Sequence, residues 1–142
     1  MTLPEHVTIV ERWFDDLFIS GNLDVVDDLV ARDFVAHGPG DMDDAHGRET
    51  FREWLGWYTS AFVDRKWTVH DVLSDGDKAV ARCEGWSTYT GGLFDIPSTD
   101  QRIQETSILI LRVEDGMVKE IWSEMSDLQV VMQLGAFPVS ES

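Results

Sequence analysis

The stretch Met117–Gly135, MVKEIWSEMSDLQVVMQLG, reads as a strand that runs into a short helix. Side chains on a strand alternate between faces, so Glu120, Trp122, Glu124 and Ser126 share one face. Two carboxylates, an aromatic ring and a hydroxyl suit the wall of a partly polar pocket. They do not suit a plain core, where unpaired charge is costly. The expectation is that this face lines a pocket. Asp127 to Leu134 then forms the short helix, and Gly135 ends it.

Working back from this stretch, the chain reads as a meander of strands. Glu114-Asp115-Gly116 is a tight turn, and Arg102 to Arg112, rich in Ile and Leu, is a strand. Gly91-Gly92 and Ile96-Pro97 bracket a loop. Lys78 to Thr90 is a further strand, joined by the turn Ser74-Asp75-Gly76-Asp77 to another at Trp67 to Leu73. Upstream the period changes. Phe51, Trp54, Leu55, Tyr58 and Phe62 mark a helix over about Arg48 to Phe62. His37-Gly38-Pro39-Gly40 and the polar residues to His46 form a loop, preceded by a brief strand at Asp33 to His37. Leu23, Val26, Leu29 and Val30 mark a short helix. Val7, Val10, Trp13, Phe14, Leu17 and Phe18 mark the first, which opens at Pro4 and stops at Ser20-Gly21-Asn22. Helices followed by a meander of long strands predict one α+β domain over residues 1–142. Three helices against one curved antiparallel sheet make a cone with a mouth, closed by a short C-terminal helix. Ala136 to Ser142 reads as a frayed tail.

Composition narrows the function. The chain has 142 residues, 43% of them hydrophobic, enough for a real core. A net charge of −16 argues against nucleic acid or an anionic membrane as partner, because both need basic patches. The single cysteine, Cys83, precludes an internal disulfide and fits a reducing compartment. The N-terminus has neither the basic nor the sustained apolar region of a signal peptide, so the expected location is the cytoplasm. No spacing among the four histidines suggests a metal, and no glycine-rich phosphate loop or dinucleotide fingerprint occurs, so no cofactor is expected.

An ordered series of short segments carries a family resemblance. It comprises Arg12-Trp13-Phe14 with Gly21-Asn22-Leu23, then Asp33-Phe34-Val35 with His37, then Gly47-Arg48-Glu49. It continues with Gly76-Asp77, Thr88 to Gly91 and Ile96-Pro97 with Thr99. It ends with Asp115-Gly116, Glu120 with Trp122, and Gln133-Leu134-Gly135. Together these resemble the SnoaL-like polyketide cyclases of the NTF2-like superfamily. The resemblance implies the NTF2-like cone, a homodimer and ring closure of a polyketide by intramolecular aldol condensation. It also implies a general acid/base Asp four residues after the tryptophan. Here that position is Ser126, with Asp127 next, so the acid is missing, displaced to Asp127 or replaced by Glu124. Tyr89 stands where the family has a histidine.

The candidate catalytic residues are therefore Glu124, His37, Asp127 and Arg82. Glu124 or Asp127 would transfer the proton. His37 would shuttle one near the mouth. Arg82 would polarise a carbonyl oxygen, or else pair with Glu84, Glu105 or Glu120. The candidate substrate-binding residues are Trp13, Trp54, Trp57, Tyr58, Glu84, Tyr89, Glu105, Trp122 and Ser126. The expected function is cofactor-free cyclisation or isomerisation of a bulky, hydrophobic, oxygenated small molecule. The alternatives are epoxide hydrolysis or epoxide-opening cyclisation on the same fold, and a non-catalytic ligand-binding or accessory protein.

Overall fold

In the computed structural model, residues 1–38, 40 and 42–136 are described. The tail beyond Ala136 lies outside them. Helix α1, Leu3–Arg12, starts at a reciprocal cap in which Thr2 and Glu5 each accept the other's backbone N–H. It runs on into Trp13–Ile19, wound more widely with i→i+5 bonds such as Ser20 N to Asp15 O at 3.1 Å. This winding turns Trp13, Phe14, Leu17 and Phe18 all into the core. A 3₁₀ turn, Leu23–Val25, leads to the one-turn helix α2, Val26–Leu29. Helix α3 is Arg48–Ala61, and the last helix, α4, is Asp127–Gln133.

The six strands are β1 Val30–Ala36, β2 Ala45–His46, β3 Phe62–Asp75, β4 Lys78–Tyr89, β5 Arg102–Glu114 and β6 Met117–Met125. Their order is β2-β1-β6-β5-β4-β3. The sheet is mixed rather than purely antiparallel, because β1 lies parallel to β6 with Ala36 opposite Ile121. That partner is distant in sequence, and no hairpin turn announces it. Strand β3 begins at Phe62, earlier than the expected Trp67. The chain turns straight from α3 into the sheet, and a register shift between Val63 and Lys66 accommodates Asp64 at φ 52°.

Period two fixes which side chains face the helices. The inward set is Ala79, Ala81, Cys83, Gly85, Ser87 and Tyr89 on β4, and Ile103, Glu105, Ser107, Leu109, Leu111 and Val113 on β5; all of them are buried. On β6 it is Val118, then Ile121, Ser123 and Met125, which pair with Val113, Leu111, Leu109 and Ser107. The three-residue step from Val118 to Ile121 marks a bulge opposite Arg112 and Val113. Glu120, Trp122 and Glu124 therefore lie on the outer face of the sheet. This corrects the expectation that their face lines the pocket.

Towards the β3 edge of the sheet, Trp67 of β3 lies over Gly85 of β4. A Cβ at Gly85 would stand 2.6 Å from the indole Cε2. Gly85→Ala is expected to displace the ring and cost roughly 1–3 kcal/mol, the usual range for overpacking, read as a lower urea midpoint with unchanged slope.

Candidate functional site

Between the helices and the sheet lies a cavity of about 370 Å³. Its existence follows from a difference in residue size between the two layers. The sheet offers small inward side chains, namely Cys83, Ser107 and Ser123. The helices and β1 bring large rings: Trp13, Phe14, Phe18, Phe34, Phe51 and Trp54. Trp13 is stacked on Phe51 at 5.1 Å, with Phe18 and Phe34 tilted around it. Such an apolar, ring-lined hollow with a few polar groups is the form of a small-molecule site. Its mouth lies at Met42 and Asp43, and Met42 is 68% exposed.

Beyond Ser107, the next inward residue of β5 is Glu105, only 7% exposed. Tyr58 of α3 donates its phenol to Glu105 Oε2 at 3.2 Å. Burial pushes the Glu105 carboxyl up to about 7, and the charge of Asp127 pushes the same way. Burial and then Glu105 raise the Tyr58 phenol, so it stays a donor. Asp127, the first residue of α4, is itself raised by partial burial and by Glu124. Cys83 lines the cavity, but burial raises its thiol to about 11, leaving it a poor nucleophile.

His37 joins the mouth to the sheet. Its Nε2 lies 2.6 Å from Glu120 Oε2, and its Nδ1 lies 3.2 Å from Asp44 Oδ2. Its ring stacks on Trp122 at 4.6 Å. Asp44 also accepts the Gly38 N–H at 3.0 Å, so the loop carrying Met42 and Asp43 is tied back to β6. Arg112 donates to the other oxygen of Glu120, and His37 and Arg112 together hold that carboxyl below its ordinary value.

The other sequence candidates are dispersed. Trp13 and Trp54 line the cavity, whereas Tyr58 and Glu105 lie behind it. Arg82 points outward and pairs with Asp71 at 2.6 Å. Glu84, also outward, accepts from Trp86 Nε1 at 3.3 Å and lies 3.6 Å from His70. Glu124 is exposed on that outer face, and Trp122 there carries Lys78 at 5.6 Å. The Ser126 hydroxyl accepts the Thr106 N–H at 2.9 Å, beside the start of α4. Trp57 donates to Gly92 O at 3.1 Å, and Tyr89 donates to Ile96 O at 2.6 Å. Both pin the loop between β4 and β5. Phe34, Trp67, Ser107 and Ser123 line the cavity without being among the sequence candidates. The run of small inward residues on β4 and β5 was the available signal. Among the described residues, no three His, Cys, Asp or Glu side chains converge as a metal set.

A buried acid with a raised pKa carries a sign for stability. Folded Glu105 holds its proton until about pH 7, whereas the unfolded chain releases it near the ordinary value of 4.5. The folded state therefore binds more protons in this window, and its stability falls as pH rises from about 4.5 to about 7. The loss is on the order of 3 kcal/mol. Glu105→Gln is expected to flatten that dependence and to be the more stable protein at pH 8, as measured by urea denaturation across the pH series.

The comparisons agree with this architecture. TsrD from Streptomyces laurentii is 26% identical, with a TM-score of 0.84 over 96% of this chain and 99% of that one. IdmH from Streptomyces antibioticus, a proposed polyketide cyclase, is 25% identical, with a TM-score of 0.77 over 92% and 98%. AclR from Streptomyces galilaeus, a proposed hydroxylase, shares the fold at 18% identity, with a TM-score of 0.83 over 96% and 100%. No curated protein matches the sequence. The profile of the SnoaL-like polyketide cyclases matches residues 8–134, nearly the whole chain, and the protein belongs to that family.

Proposed function

We propose that this protein catalyses a cofactor-independent cyclisation or isomerisation of a bulky, apolar, oxygenated small molecule, with Glu105 moving the proton. The observation behind this reading is the carboxyl of Glu105. It is buried on the inward face, one position beyond the cavity wall, and poised at about 7. A general base works best when its pKa lies near the working pH. Glu105 takes a proton from the carbon beside a substrate carbonyl and returns it to oxygen or carbon after the bond rearranges. The Tyr58 phenol keeps its proton and donates a hydrogen bond to the developing oxyanion. Asp127 favours the protonated form of Glu105 through its own charge. His37 has a positioning role, holding the mouth loop closed through Asp44 and Glu120.

Exchange of α-protons with solvent deuterium in a fused-ring β-diketone, followed by NMR, tests the reading without knowledge of the natural substrate. Glu105→Gln is expected to lower the exchange rate by roughly 10²–10⁴-fold, the contribution typical of a positioned acid or base. Tyr58→Phe is expected to lower it less. Unchanged exchange in both variants, with ligand still bound, would leave a container rather than a catalyst.

The favoured setting is secondary-metabolite tailoring in the cytoplasm, where a lone buried thiol such as Cys83 stays reduced. Two copies are proposed to meet through the outer sheet face, where Trp86 is 41% and Ile108 53% exposed. Light scattering should give twice the chain mass for the native protein and the single mass for Ile108→Glu.

A further inference from the structure

Strand β6 is shorter than its neighbour. It ends at Met125, opposite Ser107, whereas β5 extends back to Arg102. Strand residues turn their backbone groups alternately to one neighbour and the other. Gln104 and Thr106 turn theirs toward the β6 side, and Glu105 between them turns toward Gly85 of β4. Thr106 still meets Ser126. Its carbonyl accepts the Ser126 N–H at 3.0 Å, and its own N–H reaches the Ser126 hydroxyl at 2.9 Å. At Gln104 the chain of β6 has already left the sheet.

The side chain of Gln133, the last residue of α4, takes the place of the strand there. Its Oε1 accepts the Gln104 N–H at 2.9 Å, and its Nε2 donates to the Gln104 carbonyl at 2.8 Å. Nε2 also donates to Gln129 O at 3.2 Å. A carboxamide carries both the donor and the acceptor of a peptide group, so one side chain completes the ladder. A half-buried backbone edge requires such partners. Gln101 adds a separate tie, donating from Nε2 to the Gln133 carbonyl at 2.7 Å.

Glu105 is the residue between the two positions clamped in this way. Its carboxyl meets Tyr58, which stacks on Trp54 and Phe62. One partner is therefore located by α3 and the other by a strand that α4 holds. The same α4 carries Asp127, and its Val130, with Leu134 just after it, is buried in the core. We propose that Gln133 is a positioning residue for Glu105: through the Gln104 backbone it sets where the carboxyl stands against Tyr58, and it keeps α4 against that end of the sheet. The inference rests on Glu105 being the proton carrier and names the part of the chain that holds the carrier in place. Small displacements of a reacting group are costly, on the order of 10²-fold for about 1 Å.

Gln133→Met keeps the length of the side chain and removes the carboxamide. Neither Gln133 nor Gln104 lines the cavity, so KM for exchange of the β-diketone protons should stay native while kcat falls roughly 10- to 10²-fold. The second readout is the titration of the Glu105 carboxyl carbon by NMR. The groups around that carboxyl are Tyr58 of α3, Cys83 of β4 and Asp127 of α4, with Glu124 of β6 beside Asp127. Burial and Asp127 raise the native midpoint to about 7; Tyr58 pulls the other way, and burial outweighs it. Loosening α4 admits water and moves Asp127 off, so the midpoint should fall by about one unit. Gln133→Glu, which when ionised cannot donate to the Gln104 carbonyl, should show the same fall in kcat above neutral pH and serves if Gln133→Met folds poorly. The exposed Gln101→Ala cuts a tie of α4 without touching the Gln104 backbone, and it should stay within about twofold of native. Where Glu105→Gln slows exchange, a native kcat or native midpoint in Gln133→Met, a rise in KM alone, or an equal loss in Gln101→Ala would overturn the proposal. Undiminished exchange in Glu105→Gln would sink the catalytic reading instead; a lowered midpoint in Gln133→Met would then still uphold the positioning of the carboxyl, and a native one would overturn it.

Discussion

The cavity depends on one guanidinium. Arg65, just inside β3, donates to the carbonyls of Phe18 at 2.6 Å and Ile19 at 2.9 Å, where the first helical segment ends. It also donates to Thr59 at 2.9 Å and Phe62 at 2.8 Å, where α3 ends. The final carbonyls of a helix have no partner within it, and a planar fork of donors can serve two helix ends together. Gly21, at φ 64°, makes room for this clamp, since a Cβ there would lie 3.1 Å from Arg65 Nη2. The two helices that carry Trp13, Trp54 and Tyr58 are thus fixed to the strand that carries Trp67. The walls of the hollow are set by this arrangement before any ligand arrives.

Within that frame, residue size divides the labour. Close packing of an interior normally leaves little room. Here the inward face of the central strands is trimmed at Cys83, Gly85, Ser107 and Ser123, while the helices present their largest side chains. Filling by Trp67 over Gly85 closes one part of the space, and the remainder stays open. The polar groups are sparse and placed with different partners. Glu105 is held by Tyr58, whereas Trp13 Nε1 and Ser107 Oγ are held by no protein atom among the described residues.

Much of the scaffold was legible in the sequence because its signals are local. The Asp-Gly turns at 75–76 and 115–116, the helical spacing of Phe51 to Phe62 and the cap at Gly135 all report neighbours along the chain. The choice of face on β6 is not local. Its neighbour β5 is apolar on both sides through Ile108, Leu109, Ile110 and Leu111, so alternation is mute there. The bulge opposite Arg112 and Val113 adds a residue that no motif marks. The polar face of Glu120, Trp122 and Glu124 therefore looked like a pocket wall and is an outer surface. Trp13, Trp54, Tyr58 and Glu105 were legible all the same, because large aromatics on helices and a lone carboxylate inside an apolar strand stand out whichever face is inward. The parallel partnership of β1 with β6 had no sequence signature, since it joins segments some 85 residues apart.

Three of the six tryptophans, Trp13, Trp54 and Trp67, line the cavity. Their indoles therefore sense what occupies it. A conjugated ketone placed among them would lie within contact range of excited indole rings and would quench them, while the outer-face Trp86 and Trp122 would keep emitting. The protein thus carries an intrinsic optical gauge of its own occupancy. Candidate ligands can be ranked by steady-state emission of the unlabelled chain, long before any reaction is assigned.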